Sequence, residues 1–273
     1  MEINELKKKV HDIKLKCGEL CITKEKGHIT SALSCAELLV VLYYCIMNID
    51  PLKPDWKQRD RFVMSKNHGS VITYPILQDL GFFSMDFLDS YQDDGSPLGT
   101  HSKVEVPGVD FGGGSLGIGL GVACGLAFAA KVDKEDWITY CMVGDCECEE
   151  GSIWESFMFA GHNKLNNLVV IMDRNDEGCT DFIDNLIPLN PLEDKLKSFG
   201  WDVWNIKDGH DIEEILSCFK KIKGRTSDKP LFISANTIKG NGIDFMVNVP
   251  WLHGQVPKGE QGMLALKQLK GDI

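Results

Sequence analysis

The chain lacks the features that would send it to a membrane or to nucleic acid. Its N-terminus, MEINELKKKV, is charged from the start and offers no signal-peptide core. The apolar run from Ser115 to Ala130 is shorter than a membrane span and is broken by Gly117, Gly119, Gly121 and Gly125, so it reads as a buried helix. Basic residues are scarce: 29 Lys and Arg stand against 40 Asp and Glu, for a net charge of −11. A non-specific nucleic-acid binder needs a basic face for phosphates, so that class is excluded. An anionic ligand would need a local basic or helix-dipole site. Ten cysteines are present, yet no CxxC pair with zinc spacing accompanies the cluster Cys141, Cys146 and Cys148, which argues against a structural metal there. A chain this rich in apolar residues needs no disulfides. Cys35, Cys45, Cys124, Cys141 and Cys218 sit inside apolar runs and read as small buried hydrophobes, as expected for a cytoplasmic protein.

What is present is ordinary in bulk and specific in arrangement. The 273 residues are 43% hydrophobic and 25% charged, as in a soluble globular protein. Leu6, Val10, Ile13, Cys17, Leu20 and Cys21 recur at helical spacing and predict an amphipathic helix over Glu5 to Thr23. Ser34 to Glu37 reads as a capping box that starts a second helix near Ser34, and Ser152 to Glu155 as another, opening a helix to about Asn163. A glycine-rich loop, Pro107 to Gly114, feeds the helix that runs from Ser115. Leu192 to Phe199 reads as a helix, and Asp211 caps a further one in DIEEILSCFKKIK. Strands are predicted over 61–65, 138–143, 167–173, 201–206 and 231–237. Strands alternating with helices of this length predict one α/β domain over residues 1–273, a parallel sheet with helices on both faces.

In such sheets ligands bind beyond the carboxyl ends of the strands. Asp145 ends one strand, and Asp173-Arg174-Asn175 ends the next. An Asp carboxylate and an Asn amide oxygen are hard donors that suit magnesium shared with a substrate phosphate. Taken singly, the same residues also read as Asx caps closing loops. Gly112 to Gly117 stand at a helix start, where free N–H groups and the helix dipole favour a phosphate. No apolar strand precedes that loop and no Walker lysine follows it, so neither the Rossmann dinucleotide motif nor the P-loop applies. Four histidines, His28, His68, His101 and His253, lie in polar or glycine-flanked loops. They are either solvated surface or a polar pocket for an oxygen-rich substrate and for proton movement. His11 falls on a charged helix face; His162 and His210 carry no such loop signature.

With these residues in hand, the sequence resembles the N-terminal, diphosphate-binding part of transketolase. The resemblance runs from about Gly27 to Pro257 through KGHITSALSCAELLVVLYY, NIDPLKPDWKQRDRFVMSKNHGS, PGVDFGGGSLGIGLGVACGLAFAAK, GDCECEEGSIWESFMFAGHNKLNNLVVIMDRN, DGHDIEEIL and TIKGNGIDFM…WLHG. It implies a thiamine diphosphate-binding fold. Asp145, Asn175 and the main-chain carbonyl of Glu177 would hold Mg2+, which would bridge to the cofactor's diphosphate. Gly114, Ser115, Leu116, Gly117, Gly144, Asp145, Cys146, Glu150 and Asn175 match cofactor-side positions, and Glu150 also matches an acidic residue of the subunit interface. Glu155 matches another such residue, beside its local reading as a cap partner. His28, His68, His101 and His253 match the substrate- and cofactor-facing catalytic histidines.

The implied activity is transfer of a two-carbon ketol unit from a ketose, or its phosphate, to an aldose, with the cofactor as electron sink. The family's pyrimidine-binding and C-terminal domains are not in this sequence. The expectation is therefore a split transketolase, active with a separate C-terminal subunit, as an α2β2 heterotetramer. Several positions depart from the family pattern. Cys146 stands where glycine is usual, Ile29-Thr30-Ser31 where proline and glycines are usual, Ser102 where proline is usual, and Gln255 where lysine is common. These motivate two alternatives: a specialised ketol transferase or acyloin-forming enzyme with a non-standard substrate, and a non-catalytic regulatory subunit.

Overall fold

Five apolar segments form a wholly parallel sheet in the computed structural model, which describes residues 1–272. They are β1 (Arg61–Met64), β2 (Thr139–Gly144), β3 (Leu168–Arg174), β4 (Asp202–Ile206) and β5 (Leu231–Asn236), in the order β1-β2-β3-β5-β4. Around it, among the described residues, lie α1 (Ile3–Lys24), α2 (Ile29–Ser34), α3 (Ala36–Val41), α4 (Thr73–Leu80), α5 (Met85–Asp89), α6 (Ile118–Asp133), α7 (Gly151–His162), α8 (Leu192–Ser198), α9 (Ile212–Phe219) and α10 (Gly259–Lys270). Successive strand side chains point to opposite faces. Phe62, Tyr140, Met142, Ile171 and Ile233 join one core with α1 to α5, α9 and α10. Val63, Cys141, Val143, Val170 and Phe232 join the other with α6, α7 and α8. Both faces are covered, which is why β2, β3 and β5 read as continuous apolar runs rather than as alternating ones.

The predicted strands and helices are all present, with ends shifted by at most four residues. In α1 all six apolar residues of the predicted stripe are buried. Asp211 caps α9 as expected, accepting from the amides of Glu213 at 2.8 Å and Glu214 at 3.3 Å. Neither capping box forms. Ser34 ends α2 and donates its hydroxyl to Asp173 Oδ1 at 2.8 Å, while Glu37 accepts from Lys14 Nζ at 2.5 Å. Ser152 donates to the Gly117 carbonyl at 3.1 Å, and α7 starts without a side-chain cap. In both cases a buried tertiary partner outcompetes the local amide.

The helix expected from Ser115 begins at Ile118, and it is buried on one side only. Small residues let that side approach closely: a Cβ on Gly119 would stand 2.6 Å from Ser65 Cα. On the other side Ile118 (49% exposed) and Val132 (61%) face outward beside Met158 (55%) and Phe159 of α7. Among the described residues, no layer covers them. All ten cysteines are free thiols; Cys35, Cys124 and Cys141 are buried, whereas Cys45 and Cys218 are half-buried. Among the described residues, no helix is long and apolar enough to cross a membrane, and no three His, Cys, Asp or Glu side chains converge as a metal set.

Candidate active site

Strands β2 and β3 are neighbours in parallel register, with Gly144 opposite Asp173. Asp145 and Asn175 therefore leave the sheet at the same edge. The Asp145 carboxylate is buried and accepts from the amides of Cys146 at 2.7 Å and Asp176 at 2.5 Å. Burial first, and the nearby charge of Asp173 second, push its pKa up to about 7. Asn175 is half-buried. Its amide NH2 donates to Ser34 Oγ and to Asp173 Oδ2, each at 3.2 Å, and its oxygen accepts from Glu177 N at 3.2 Å. The Glu177 carbonyl accepts from the buried ammonium of Lys239 at 3.3 Å, as the Gly178 carbonyl does at 2.7 Å. A cavity of about 90 Å³ lies between these groups, with Leu116, Gly144 and Cys146 on its wall and His68 and His253 at its rim.

Beneath this edge sits a second buried carboxylate. Asp173 is ion-paired with Lys66 and accepts from Ser34 Oγ at 2.8 Å and Thr237 Oγ1 at 2.5 Å. Burial works against its charge. The Lys66 ammonium and the hydroxyls outweigh burial and hold the carboxyl below the usual range. Lys66 is correspondingly raised: burial opposes its charge, and Asp173 more than offsets that.

The four loop histidines meet in space. Ring centroids are 5.3 Å apart for His28 and His68, 5.1 Å for His28 and His253, 4.9 Å for His68 and His253, and 6.3 Å for His28 and His101. Each is delivered by a local device. His28 precedes α2, and His68 lies in the 3-10 turn Asn67–Ile72 after β1. His253 follows the turn Pro250–Leu252, and Gly254, at φ +72°, packs so that a Cβ would stand 3.1 Å from His28 Nε2. His101 is held through Ser102, whose amide and hydroxyl bond the Asn67 side chain at 2.8 Å each. Burial lowers His28, His68 and His253, with neighbouring histidines and lysines adding to it; His253 falls to about 3. At neutral pH these three rings are uncharged. They can accept or donate hydrogen bonds to hydroxyls and take up a proton as one is released.

The glycine loop meets the same edge. Gly117 has φ +82°, and a Cβ there would stand 2.5 Å from Ser152 Oγ, so glycine is required. Its amide donates to Glu147 Oε1 at 2.9 Å; Ser65 Oγ donates to the same oxygen at 2.5 Å, and Gly144 N to Oε2 at 3.1 Å. Glu147 thus ties the loop to the end of β2. Gly114 lies against the His101 ring. Ser115 and Glu150 are exposed and do not line the cavity. Cys146 opens the turn Cys146–Glu149 without left-handed backbone, so that turn does not demand glycine. Its half-buried thiol, pushed up to about 11 by burial and then by Glu149, faces the cavity.

The residues fit a divalent cation with a diphosphate. A buried carboxylate whose charge is under-compensated, an amide oxygen and a main-chain carbonyl share one cavity, and an ammonium already stands at the carbonyl as a cation would. Glu177 Oε2 is also buried without a partner. Lys66, Lys239, Glu147, Ser34 and Thr237 carry much of this arrangement, and the sequence singled out none of them as a site residue, Ser34 being read only as a helix cap. The only signal for them was that they fall inside the blocks shared with transketolase.

The sequence matches the family described as transketolase, thiamine diphosphate binding domain, over residues 7–271. One relative is a subunit of the apulose-4-phosphate transketolase of Phocaeicola vulgatus, 37% identical over 273 residues and covering 100% of this chain and 96% of that one. Another is the 6-deoxy-6-sulfo-D-fructose transketolase subunit SqwG of Clostridium sp., 41% identical over 220 residues and covering 80% of this chain and 79% of that one. Among solved structures, transketolase from Campylobacter jejuni superposes with a TM-score of 0.92 at 28% identity, over 100% of this chain and 43% of that chain.

Proposed function

This chain belongs to the transketolase thiamine diphosphate-binding family, and on that premise we propose that it is the diphosphate-binding subunit of a cytoplasmic split transketolase. Its partner is a separate chain that carries the pyrimidine-binding and C-terminal domains, and the two assemble as an α2β2 heterotetramer. The observation that carries this reading is the meeting of Asp145 and Asn175 at one sheet edge, in a cavity bordered by the histidine cluster. Two relatives whose names call them subunits match most of their own length, which supports the split. The uncovered apolar face of α6 and α7, with exposed Glu150 and Glu155 beside it, supports the docking of another chain there.

Asp145, Asn175 and the Glu177 carbonyl would hold Mg2+; Gly144, Cys146 and the Gly114–Gly117 loop would lie against the diphosphate. When bound, thiamine diphosphate supplies a nucleophilic carbon and an electron sink for cleaving the C–C bond of a ketose. The chain's own residues do the rest. Lys239, whose ammonium touches only carbonyls, offsets phosphate charge. His28, His68, His101 and His253 orient the sugar hydroxyls, and the uncharged rings of His28, His68 and His253 relay the proton that moves as the C–C bond breaks and forms.

A second reading has a specific observation in its favour. Ser102 and Ile29 flank two of the histidines with side chains unlike the family's usual ones, and the names of the two relatives specify apulose-4-phosphate and a sulfofructose. A specialised sugar is therefore the alternative to ordinary pentose phosphates. One assay decides both. The chain, co-produced with its partner and supplied with thiamine diphosphate and Mg2+, is given a panel of ketose donors and aldose acceptors. Two-carbon transfer from some donor is expected. Strong turnover of ordinary pentose phosphates would remove the specialised reading, and no transfer from any donor, despite bound cofactor, would contradict both.

A further inference from the structure

The DGHDIEEIL segment holds a contact that the site above does not use. Asp208 Oδ1 accepts from His210 N at 2.9 Å, closing a turn. Gly209 lies so near the end of β5 that a Cβ would stand 2.6 Å from Thr237 Cγ2 and 2.7 Å from the Asn236 carbonyl oxygen. That approach carries the His210 ring to the segment that follows β5. The amide of Ile238 donates to His210 Nε2 at 2.8 Å. A ring nitrogen that accepts carries no proton, so Nδ1 holds it and donates to Glu37 Oε2 at 3.0 Å. Glu37 is buried on α3, and its other oxygen accepts from Lys14 Nζ at 2.5 Å. Lys14 also reaches the Asn241 carbonyl at 3.5 Å.

The five residues from Thr237 to Asn241 are thus pinned to five different parts of the chain. Thr237 N bonds the Arg174 carbonyl at 2.9 Å, and Gly240 N bonds the Thr30 carbonyl at 3.0 Å. Between them, Ile238 N has His210, and Lys239 reaches into the cavity to the carbonyls of Gly178 and Glu177. A lysine is long and flexible, so its ammonium is placed only as well as the backbone that carries it. We infer that His210 is a positioning residue for the cofactor edge: oriented by Glu37 and Lys14, it fixes the Ile238 amide and thereby holds Lys239 against the Glu177 and Gly178 carbonyls. The backbone part of this inference stands alone. Its consequence for cofactor binding rests on the function proposed above.

Two isosteric variants separate the arms of the contact. In His210→Gln the amide oxygen falls near the Nε2 position and still accepts from Ile238 N. In His210→Asn the shorter amide keeps the Glu37 contact and leaves Ile238 N without an acceptor. Hydrogen exchange of the cofactor-free complex with its partner chain is expected to show faster exchange at Ile238 to Asn241 in His210→Asn, with protection in β3 unchanged and His210→Gln close to the parent. Calorimetric titration with thiamine diphosphate and Mg2+ is expected to show affinity lowered by about tenfold in His210→Asn, in the range for an outer-layer partner of a metal site, with kcat at saturating cofactor retained. Parent-like exchange at Ile238 in His210→Asn overturns the positioning role. Faster exchange with unchanged affinity overturns the link to Lys239. A parent complex that binds no thiamine diphosphate overturns the function on which that link rests, and the exchange result then judges the backbone contact separately.

Discussion

Two buried carboxylates lie one sheet position apart, and they are treated in opposite ways. Asp173 has an ammonium and two hydroxyls on it, and its pKa is lowered. Asp145 has two backbone amides and no cation, and its pKa is raised to about 7. The first is a finished ion pair that ties β3 to β1, α2 and the segment after β5. The second is a carboxyl in low dielectric with no ion-pair partner among the described residues, so burial favours its protonated form until a cation arrives. The paired carboxylate and the proposed metal ligand are told apart here by what surrounds them, since burial is nearly complete for both.

The comparison breaks most sharply at Asp173. Asp173→Ala leaves Lys66 buried and unpaired, and is expected to destabilise the chain by about 3–5 kcal/mol in denaturant unfolding. A loss below about 1 kcal/mol would mean the pair is not the anchor described. Asp145→Ala is expected to do the reverse: the fold keeps its stability or gains some, while magnesium-dependent binding of thiamine diphosphate weakens beyond the roughly 100-fold typical of losing even an outer-layer partner. Wild-type affinity in that variant would refute the metal assignment.

Acid and alkali sharpen the same contrast. Without cofactor, folded Asp145 holds a proton that the unfolded chain releases above its ordinary value of 3.8, so its contribution to stability, a few kcal/mol at most, is lost as pH rises from there to about 7. Asp173 runs the other way. Its contribution is present above the unfolded value and lost as pH falls through the lower folded one. Unfolding midpoints across pH should therefore lose their decline between pH 4 and 7 in Asp145→Asn, and an unchanged profile would contradict the raised pKa. The smallest expected effect is at Cys146. Because its turn needs no left-handed residue, Cys146→Gly should cost about 1 kcal/mol or less in stability, and cofactor affinity should move by less than about threefold. A large gain in affinity would show that the thiol obstructs the diphosphate.

Much of the fold was legible because periodicity is local: the α1 stripe and the apolar strands sit where the pattern put them. The site was half legible. Asp145 and Asn175 could be found because both end apolar runs, and the histidines because glycines flank them. Lys66 could not, since its partner Asp173 lies 107 residues away and nothing in RFVMSKNHGS distinguishes it from a surface lysine. Ser34 and Ser152 failed as caps for the same reason: a hydroxyl with a buried partner 139 or 35 residues away has no local signature. The exposed side of α6 was misread because an apolar face that stays exposed looks, in sequence, like one built for the core.

The most direct test is calorimetric titration of thiamine diphosphate into this chain, assembled with its partner, with Mg2+ present and again with the metal chelated. Saturable binding with Mg2+ that collapses on chelation is the predicted result. Equal binding in both conditions, or none in either, would contradict the assignment of this sheet edge as a magnesium–diphosphate site.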